Sequence, residues 1–271
     1  MNDKSERIAP YLDKGSSENP EALRLQEEKL REVFERILKH AQEKGATVRA
    51  VSSLAYRIRC PNTREIAYEN GQKLGDIDLA CPKRDILQVL DTFEELGWKE
   101  NITVMHTHGN KRRIFHHPDE PLHADIFIDK LRFCHDIDLR GRFDKHDITT
   151  SLADMLLEKL QIAEINRKDI VNILILLAEH GFGHEGIDRN YLAKLFASDW
   201  GLYKTSLVNI EKLSDHAETV LEGEQKEKVK GRLGELRKLL DRDDRTIGWK
   251  LRDLIGERVK WYKDVEEVQR D

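Results

Sequence analysis

The sequence predicts an α+β fold in which a mixed sheet domain is followed by an all-helical domain. Two observations lead to this prediction. Strand-like and helix-like segments alternate up to about residue 148, as they do where helices cover a sheet. Beyond that point the segments have the apolar spacing of helices. We therefore divide the chain into a flexible N-terminal lead-in (1–19), an α+β domain (20–148) and a helical C-terminal domain (149–271).

The composition is typical of a soluble globular protein with a highly charged surface. Of the 271 residues, 39% are hydrophobic and 36% are charged, and the formal net charge is −5. This net charge argues against a generally basic nucleic-acid-binding surface. No apolar run approaches the roughly 20 residues that span a bilayer, and the N-terminus lacks the apolar core of a signal peptide. We expect a cytoplasmic protein with no membrane partner.

The α+β domain is predicted to begin with a helix, a short strand and a second helix. A stripe of apolar residues from Leu30 to Ala41 predicts a helix that starts at Pro20 and stops at Gly45. A short strand is predicted over ATVRAV, and one or two helical turns over LAYRIRCP, which Pro61 ends. The segment after Pro61 (NTREIAYENGQ) has little periodicity and is expected to be a loop.

The remainder of this domain is predicted to be mostly strands. A strand is expected over KLGDIDLAC, and a helix from Arg84 to Gly97. Three further strands are expected over NITVMHTH, KRRIFHH and HADIFID. The helical domain follows, and its segment KDIVNILILLAEHGF is apolar nearly all round, which is typical of a central helix.

Three acidic residues interrupt apolar strands. Because side chains alternate between the faces of a strand, Asp76 and Asp78 share one face while Ile77 and Leu79 share the other. Asp125 is flanked by apolar residues in a later strand. Carboxylates held close together repel each other unless water covers them or a cation lies between them. The pattern is therefore typical either of a solvated strand face or of a site for Mg²⁺, which prefers oxygen ligands.

The order of these segments resembles the nucleotidyltransferase fold of the DNA polymerase beta superfamily. The resemblance depends on a small-residue turn (AVSSLAYRI), a D-x-D strand (KLGDIDLA) and a later strand with a single carboxylate (HADIFID). The segment LADMLLEKLQIAEINRKDIVNI further resembles nucleotidyltransferases of the abortive-infection toxin type, which carry a helix lysine and then a basic residue directly before an aspartate. The resemblance covers roughly residues 45 to 180.

The resemblance implies a reaction and a set of site residues. The implied reaction is Mg²⁺- or Mn²⁺-dependent transfer of a nucleoside monophosphate from an NTP to an acceptor, with release of pyrophosphate. The catalytic residues and metal ligands would be Asp76, Asp78 and Asp125. The nucleotide-binding residues would be Ser52, Ser53, Lys159, Lys168 and Asp169. The acceptor stays open between an RNA such as tRNA, a protein and a small molecule.

Ser52 stands where this family usually has glycine. Glycine adopts backbone dihedrals that other residues disfavour, and it lets the backbone approach the triphosphate closely. The alternative function is therefore a catalytically inactive protein on the same fold that binds a nucleotide or a partner. Two of the implied residues also have structural alternatives, since Lys159 could extend its amine to water and Asp169 could stabilise a helix N-terminus.

A group of histidines leaves a third hypothesis open, a metal-dependent phosphohydrolase. His106 and His108 lie two residues apart on a predicted strand and would share a face, while His123 would share the face of Asp125. The adjacent residues Arg112 and Arg113 also belong to a predicted strand, so only one of them can face the site.

Overall fold

Five short strands form one mixed sheet in the computed structural model, which describes residues 19–241 and 244–265. The strands are β1 (Arg49–Ala50), β2 (Ile77–Cys81), β3 (Lys99–Glu100), β4 (Arg112–His116) and β5 (His123–Ile128). They lie in the order β1-β2-β5-β4-β3. The central pair β2–β5 is parallel, and the other neighbours are antiparallel. Residues 1–18 of the predicted lead-in lie outside the described residues.

Five α-helices lie among these strands in the described part of the chain: α1 (Pro20–Glu43), α2 (Ser52–Arg59), α3 (Glu65–Glu69), α4 (Ile86–Glu95) and α5 (Ile102–His108). A two-stranded sheet follows, formed by β6 (Lys130–Arg132) and β7 (Asp136–Asp138). Six more α-helices follow in the described residues: α6 (Leu152–Leu160), α7 (Arg167–Glu179), α8 (Arg189–Ser198), α9 (Trp200–Val220), α10 (Gly223–Leu240) and α11 (Ile247–Ile255). The coarse α+β prediction is therefore confirmed.

The two faces of the sheet have different partners. One face carries Phe115 and packs on α4, where the ring of Phe93 stacks on that of Phe115 with centroids 4.5 Å apart. The opposite face carries Asp78, Asp125 and Phe127, because Asp78 pairs with Asp125 and residues two apart on a strand point the same way. We call this second face the site face.

Helix α7 joins the two halves of the chain. It packs against α2, α3, α6, α9 and α10, and the residues from Asp169 to Ala178 are all buried. This confirms the predicted central helix. The chain near the predicted domain boundary is itself bonded to the sheet edge, since Ala50 N donates to Ile148 O at 2.8 Å and Thr150 N donates to Ala50 O at 3.1 Å. The boundary at residue 148 stays a prediction.

The segment NITVMHTH was predicted as a strand, and this prediction is wrong because the segment forms helix α5. Its β-branched residues favour a strand, but the side chain of Asn101 accepts a hydrogen bond from Val104 N at 3.0 Å and caps a helix instead. His106 and His108 consequently do not share a face, since residues two apart on a helix point in different directions.

The loop expected after Pro61 is also a wrong prediction, because it contains the short helix α3. This helix buries Ile66, Ala67 and Tyr68 and packs against α1 and α7. One turn is too short to show a period in the sequence, so its burial against other helices decides its structure. Among the helices of residues 19–241 and 244–265, none is long and apolar enough to cross a bilayer.

Candidate active site

Three carboxylates converge on the site face beside strands β2 and β5. Asp78 and Asp125 lie directly opposite each other in the parallel pair, so both side chains point to the same face. Asp76 precedes β2 by one residue, and its side chain is 22% exposed. Asp125 is fully buried. The structure thus brings together the three acidic residues that the sequence singled out.

The environment of Asp78 makes its ionised form unfavourable. Burial raises the pKa of the Asp78 carboxyl well above its usual range, and the negative charges of Asp76 and Asp125 raise it further. The positive charge of Lys159 lowers this pKa, but the balance remains upward. Asp78 therefore lies where a bound cation would relieve a large electrostatic repulsion.

Arg112 and His123 contact the other two carboxylates. Arg112 Nε donates to Asp125 Oδ1 at 2.8 Å and to Asp125 Oδ2 at 3.0 Å, and Arg112 Nη2 also donates to Oδ2. His123 Nε2 lies 3.4 Å from Asp76 Oδ2. Arg113 points the other way and pairs with Glu100, with Nη2 donating to Oε2 at 2.7 Å. Arg112 is therefore the arginine of this pair that faces the site.

The donor chemistry of this site fits Mg²⁺ or Mn²⁺, because carboxylate oxygens are the ligands that these cations prefer. The side-chain orientation does not complete a site. Within the described residues, no group of three or more His, Cys, Asp or Glu side chains is arranged to hold a metal ion. Asp125 engages Arg112 and Asp76 engages His123 instead. Metal binding by the three carboxylates would compete with these two pairs.

The turn between β1 and α2 has the backbone conformation that favours glycine. Ser52 has a φ of 54°, in the left-handed region, which costs a residue with a side chain about 1–2 kcal/mol. Its amide donates to Glu158 Oε2 at 2.9 Å, and its hydroxyl accepts from Lys159 Nζ at 3.1 Å. The turn is thus tied to helix α6, and it lies at the N-terminus of α2.

Lys159 lies in a buried charge cluster. Its Nζ is 3.1 Å from Glu158 Oε1 and 3.1 Å from Asp169 Oδ1, and its side chain is only 9% exposed. Burial alone would lower the pKa of Lys159, but the carboxylates of Glu158 and Asp169 raise it above its usual range. Lys159 therefore stays charged, and its amine does not extend into solvent.

The remaining nucleotide-binding candidates lie along the same helices. Ser53 Oγ accepts from Asn172 Nδ2 at 3.2 Å. Asp169 lies in the first turn of α7, as its structural alternative requires, and also holds Lys159. Lys168 is half-buried, and its carbonyl accepts from Gln72 Nε2 at 3.4 Å. Within the described residues, the structure brings together Ser52, Lys159 and Asp169. It does not bring the side chain of Lys168 into this group of described residues.

Sequence reasoning missed two members of this network, Glu158 and Asn172. Glu158 is 2% exposed in a helix whose residues are all buried, and Asn172 is fully buried in the apolar helix α7. The available signal was a polar residue inside an otherwise apolar helix, because a buried polar group needs a partner. The identity of the partner was not available, since Glu158 reaches Ser52 across 106 positions.

The sequence matches no protein-family model, and searches of curated proteins and of solved structures find no similar protein.

Proposed function

We propose that this chain is a Mg²⁺- or Mn²⁺-dependent nucleotidyltransferase that transfers a nucleoside monophosphate from an NTP to an acceptor and releases pyrophosphate. The observation that carries the proposal is the convergence of Asp76, Asp78 and Asp125 on one face of the sheet. Phosphoryl transfer requires its reactants to be positioned and their negative charge to be neutralised. A rigid strand pair that carries several carboxylates meets the first requirement and supplies ligands for the second.

In this reaction Asp76, Asp78 and Asp125 would hold the metal ions. Mg²⁺ bound there would supply the positive charge that neutralises the triphosphate and lowers the pKa of the acceptor hydroxyl. The turn at Ser52 offers a backbone amide and a hydroxyl at a helix N-terminus, where anions bind favourably. Ser53 lies next to this turn, inside the first turn of α2.

The basic residues of the helical half would bind the nucleotide phosphates. Lys159 already contacts the hydroxyl of Ser52, so a phosphate at this turn would lie beside a charged amine. Asp169 holds that amine in place. Lys168, one residue earlier, would act as a further phosphate contact from the start of α7.

A transfer assay tests the proposal directly. The full chain is incubated with each α-labelled NTP, Mg²⁺ or Mn²⁺, total RNA and cell protein. We expect label to enter one class of acceptor with the wild type and not with an Asp76→Asn/Asp78→Asn double variant. Asp91→Asn, at an exposed position on α4, makes the same chemical change away from the site and should remain active. A fully active double variant would contradict the proposal.

One observation favours the alternative, a nucleotide-binding or partner-binding protein without catalysis. The amide of Ser52 already donates to the carboxylate of Glu158. The backbone at this position is left-handed, which favours glycine, yet the residue is a serine. A phosphate at the turn must displace Glu158, which weakens nucleotide binding. Without a productive turn, the chain would keep the fold and lose the reaction.

Ser52→Gly separates the two functions. Glycine relieves the left-handed strain, so the free energy of unfolding should rise by about 1 kcal/mol in urea titrations. In an enzyme, nucleotide affinity measured by calorimetry should rise as well, because the turn accepts phosphate more readily. Ser52→Ala is the control, since it removes the hydroxyl contact with Lys159 but keeps the strain. A more stable Ser52→Gly variant with unchanged nucleotide affinity would favour the non-catalytic function.

A further inference from the structure

A cavity of about 620 Å³ lies on the far side of Arg112 from the carboxylate of Asp125. Arg112 and Phe127 line it, and these residues lie opposite each other in the β4–β5 pair. Phe127 follows Asp125 by two residues on β5, so both side chains belong to the site face. The guanidinium of Arg112 contacts both the cavity and the carboxylate of Asp125. Arg112 therefore links the cavity to the candidate active site.

Positive side chains dominate this cavity, which we call the basic pocket. Two carboxylates line it, those of Asp136 and Asp264, and Asp136 is paired with Lys263 at 2.7 Å. The side chains that carry or can accept a positive charge are those of His108, Lys111, Arg112, Lys130, Arg132 and Lys263. In a chain with a formal net charge of −5, this local excess of cations creates a potential that attracts anions.

One wall of the basic pocket is aromatic. The rings of Phe127 and Phe133 meet edge to face with centroids 5.4 Å apart. The guanidinium of Arg112 lies 5.2 Å from the centroid of Phe127. Aromatic rings and planar guanidinium groups stack on nucleobases, while neighbouring lysines and arginines bind phosphate. The pocket therefore offers an aromatic wall for the base and positive side chains for the phosphate of a phosphorylated nucleoside.

The guanidinium of Arg112 cannot keep its contact with Asp125 and also move onto a ligand in the basic pocket. Its Nε and Nη2 both donate to Asp125, which is fully buried. A metal ion bound by Asp125 would place a second positive charge beside this guanidinium, and the repulsion would weaken the contact between Arg112 and Asp125. A phosphate in the pocket would attract the same guanidinium away from Asp125. Binding of either ligand thus weakens the contact between Arg112 and Asp125, and this contact opposes binding of the other ligand.

We propose that the basic pocket binds a phosphate-bearing nucleotide unit of the acceptor, and that Arg112 moves from Asp125 to this phosphate when a metal ion occupies the three carboxylates. The assignment of the ligand as the acceptor rests on the proposed function. Metal and nucleotide then strengthen each other's binding, because linkage between two sites is reciprocal. Cationic acceptors are disfavoured by the same charges that line the pocket.

Calorimetry of Mn²⁺ binding to the full chain tests this coupling without any transfer reaction. The titration is run with no nucleotide, with AMP and with a single-stranded RNA pentanucleotide, and is corrected for binding of Mn²⁺ to each ligand alone. We expect at least about a fivefold lower Kd for Mn²⁺ in the presence of a binding ligand. An effect of AMP identifies a free nucleotide as sufficient, and an effect of the RNA alone identifies a polynucleotide end. Unchanged Mn²⁺ affinity with both ligands would overturn the proposal.

Variants of the two adjacent arginines locate the coupling. Arg112→Gln should bind Mn²⁺ more tightly without nucleotide and should lose the effect of the nucleotide. Arg113→Gln is the matched control, because Arg113 lies on the opposite face and pairs with Glu100. Since Arg112→Gln leaves a buried carboxylate without this partner, Arg112→Lys is measured as well and should show reduced coupling while keeping the charge. Coupling equal to that of the wild type in both Arg112 variants would contradict the role of Arg112.

Pocket variants locate the nucleotide itself. Lys111→Gln/Lys130→Gln removes two lining cations that lie outside the carboxylate cluster. This variant should bind the effective nucleotide at least about fivefold more weakly and keep the metal affinity of the nucleotide-free protein. Unchanged nucleotide affinity would place the ligand elsewhere and overturn the proposal. If metal and nucleotide binding are coupled but the protein transfers no label, the proposed function is overturned and the assignment of the pocket stands. If the protein transfers label without such coupling, the proposed function stands and the assignment of the pocket is overturned.

Discussion

Asp78 shows at the scale of one residue how clustered carboxylates oppose stability. Its carboxyl is held beside Asp76 and Asp125, and burial together with these charges raises its pKa. The unfolded chain ionises Asp78 at the ordinary pKa of aspartate, about 3.9. Between that value and the raised pKa, the folded state binds more protons than the unfolded state does. The contribution of Asp78 to stability is therefore complete below the ordinary pKa and is lost as the pH rises through the raised one.

Asp78→Asn should accordingly stabilise the metal-free protein. With a chelator at pH 7, we expect its free energy of unfolding to exceed that of the wild type, because the amide carries no charge for burial and the neighbouring carboxylates to disfavour. The difference should shrink as the pH falls below the raised pKa and should vanish below the ordinary pKa of about 3.9, where the wild-type carboxyl binds a proton in both states. Urea titrations across this pH range measure it. Asp91→Asn should show no such trend, and parallel pH profiles for Asp78→Asn and the wild type would contradict the expectation.

The sequence predicted those site contacts that depend on local geometry. The two-residue period of a strand is sufficient to place Asp78 and Asp125 on equivalent faces. It could not identify which cation would meet Asp125, because Arg112 and Arg113 differ only in the face they occupy. It also could not identify Glu158 as the partner of the Ser52 amide, because that contact depends on how α6 packs beside the turn.

At the scale of elements, helix α5 shows that a helix cap can determine whether a segment forms a helix or a strand. Its sequence NITVMHTH is rich in β-branched residues, which favour strands, yet the segment is helical from Ile102 to His108. The side chain of Asn101 satisfies the amide of Val104 at the start of this helix. Elements with a long apolar stripe, such as α1 and α7, could be predicted from the sequence because their period extends over several turns.

Removal of this cap should destabilise the protein measurably. Asn101→Ala should lower the free energy of unfolding by about 1 kcal/mol, since the amide of Val104 loses its acceptor at the buried start of the helix. Urea denaturation followed by circular dichroism gives this value. Asn101→Asp retains an acceptor oxygen and should lose less stability. Equal losses in both variants would show that the cap oxygen does not stabilise α5.

At the scale of the whole molecule, one hydrophobic core includes residues from both predicted domains. Hydrogen bonds also cross between the halves, from Tyr56 Oη to Met155 O at 2.6 Å and from Thr63 Oγ1 to Ile175 O at 3.0 Å. The change from strands to helices near residue 148 was visible in the sequence. The shared core was not visible, because apolar periodicity shows that a face is buried without showing what covers it.

We therefore expect the full chain to unfold in a single cooperative transition. Differential scanning calorimetry should give one peak whose calorimetric enthalpy equals its van 't Hoff enthalpy. A fragment of residues 20–148 should show no cooperative transition, since it lacks helix α7 and exposes the surface that this helix covers. Two separable transitions in the full chain, together with cooperative unfolding of the fragment, would contradict this expectation.

The contact between Ser52 and Glu158 has a consequence for protein synthesis. The turn at Ser52 emerges from the ribosome long before the carboxylate and the lysine that complete it, because those residues lie more than 100 positions later. Domains fold as their residues become available during translation. A nascent chain that ends before α6 therefore carries the strands and their aspartates but no finished site. Any activity that depends on this turn begins only after helix α6 has been made.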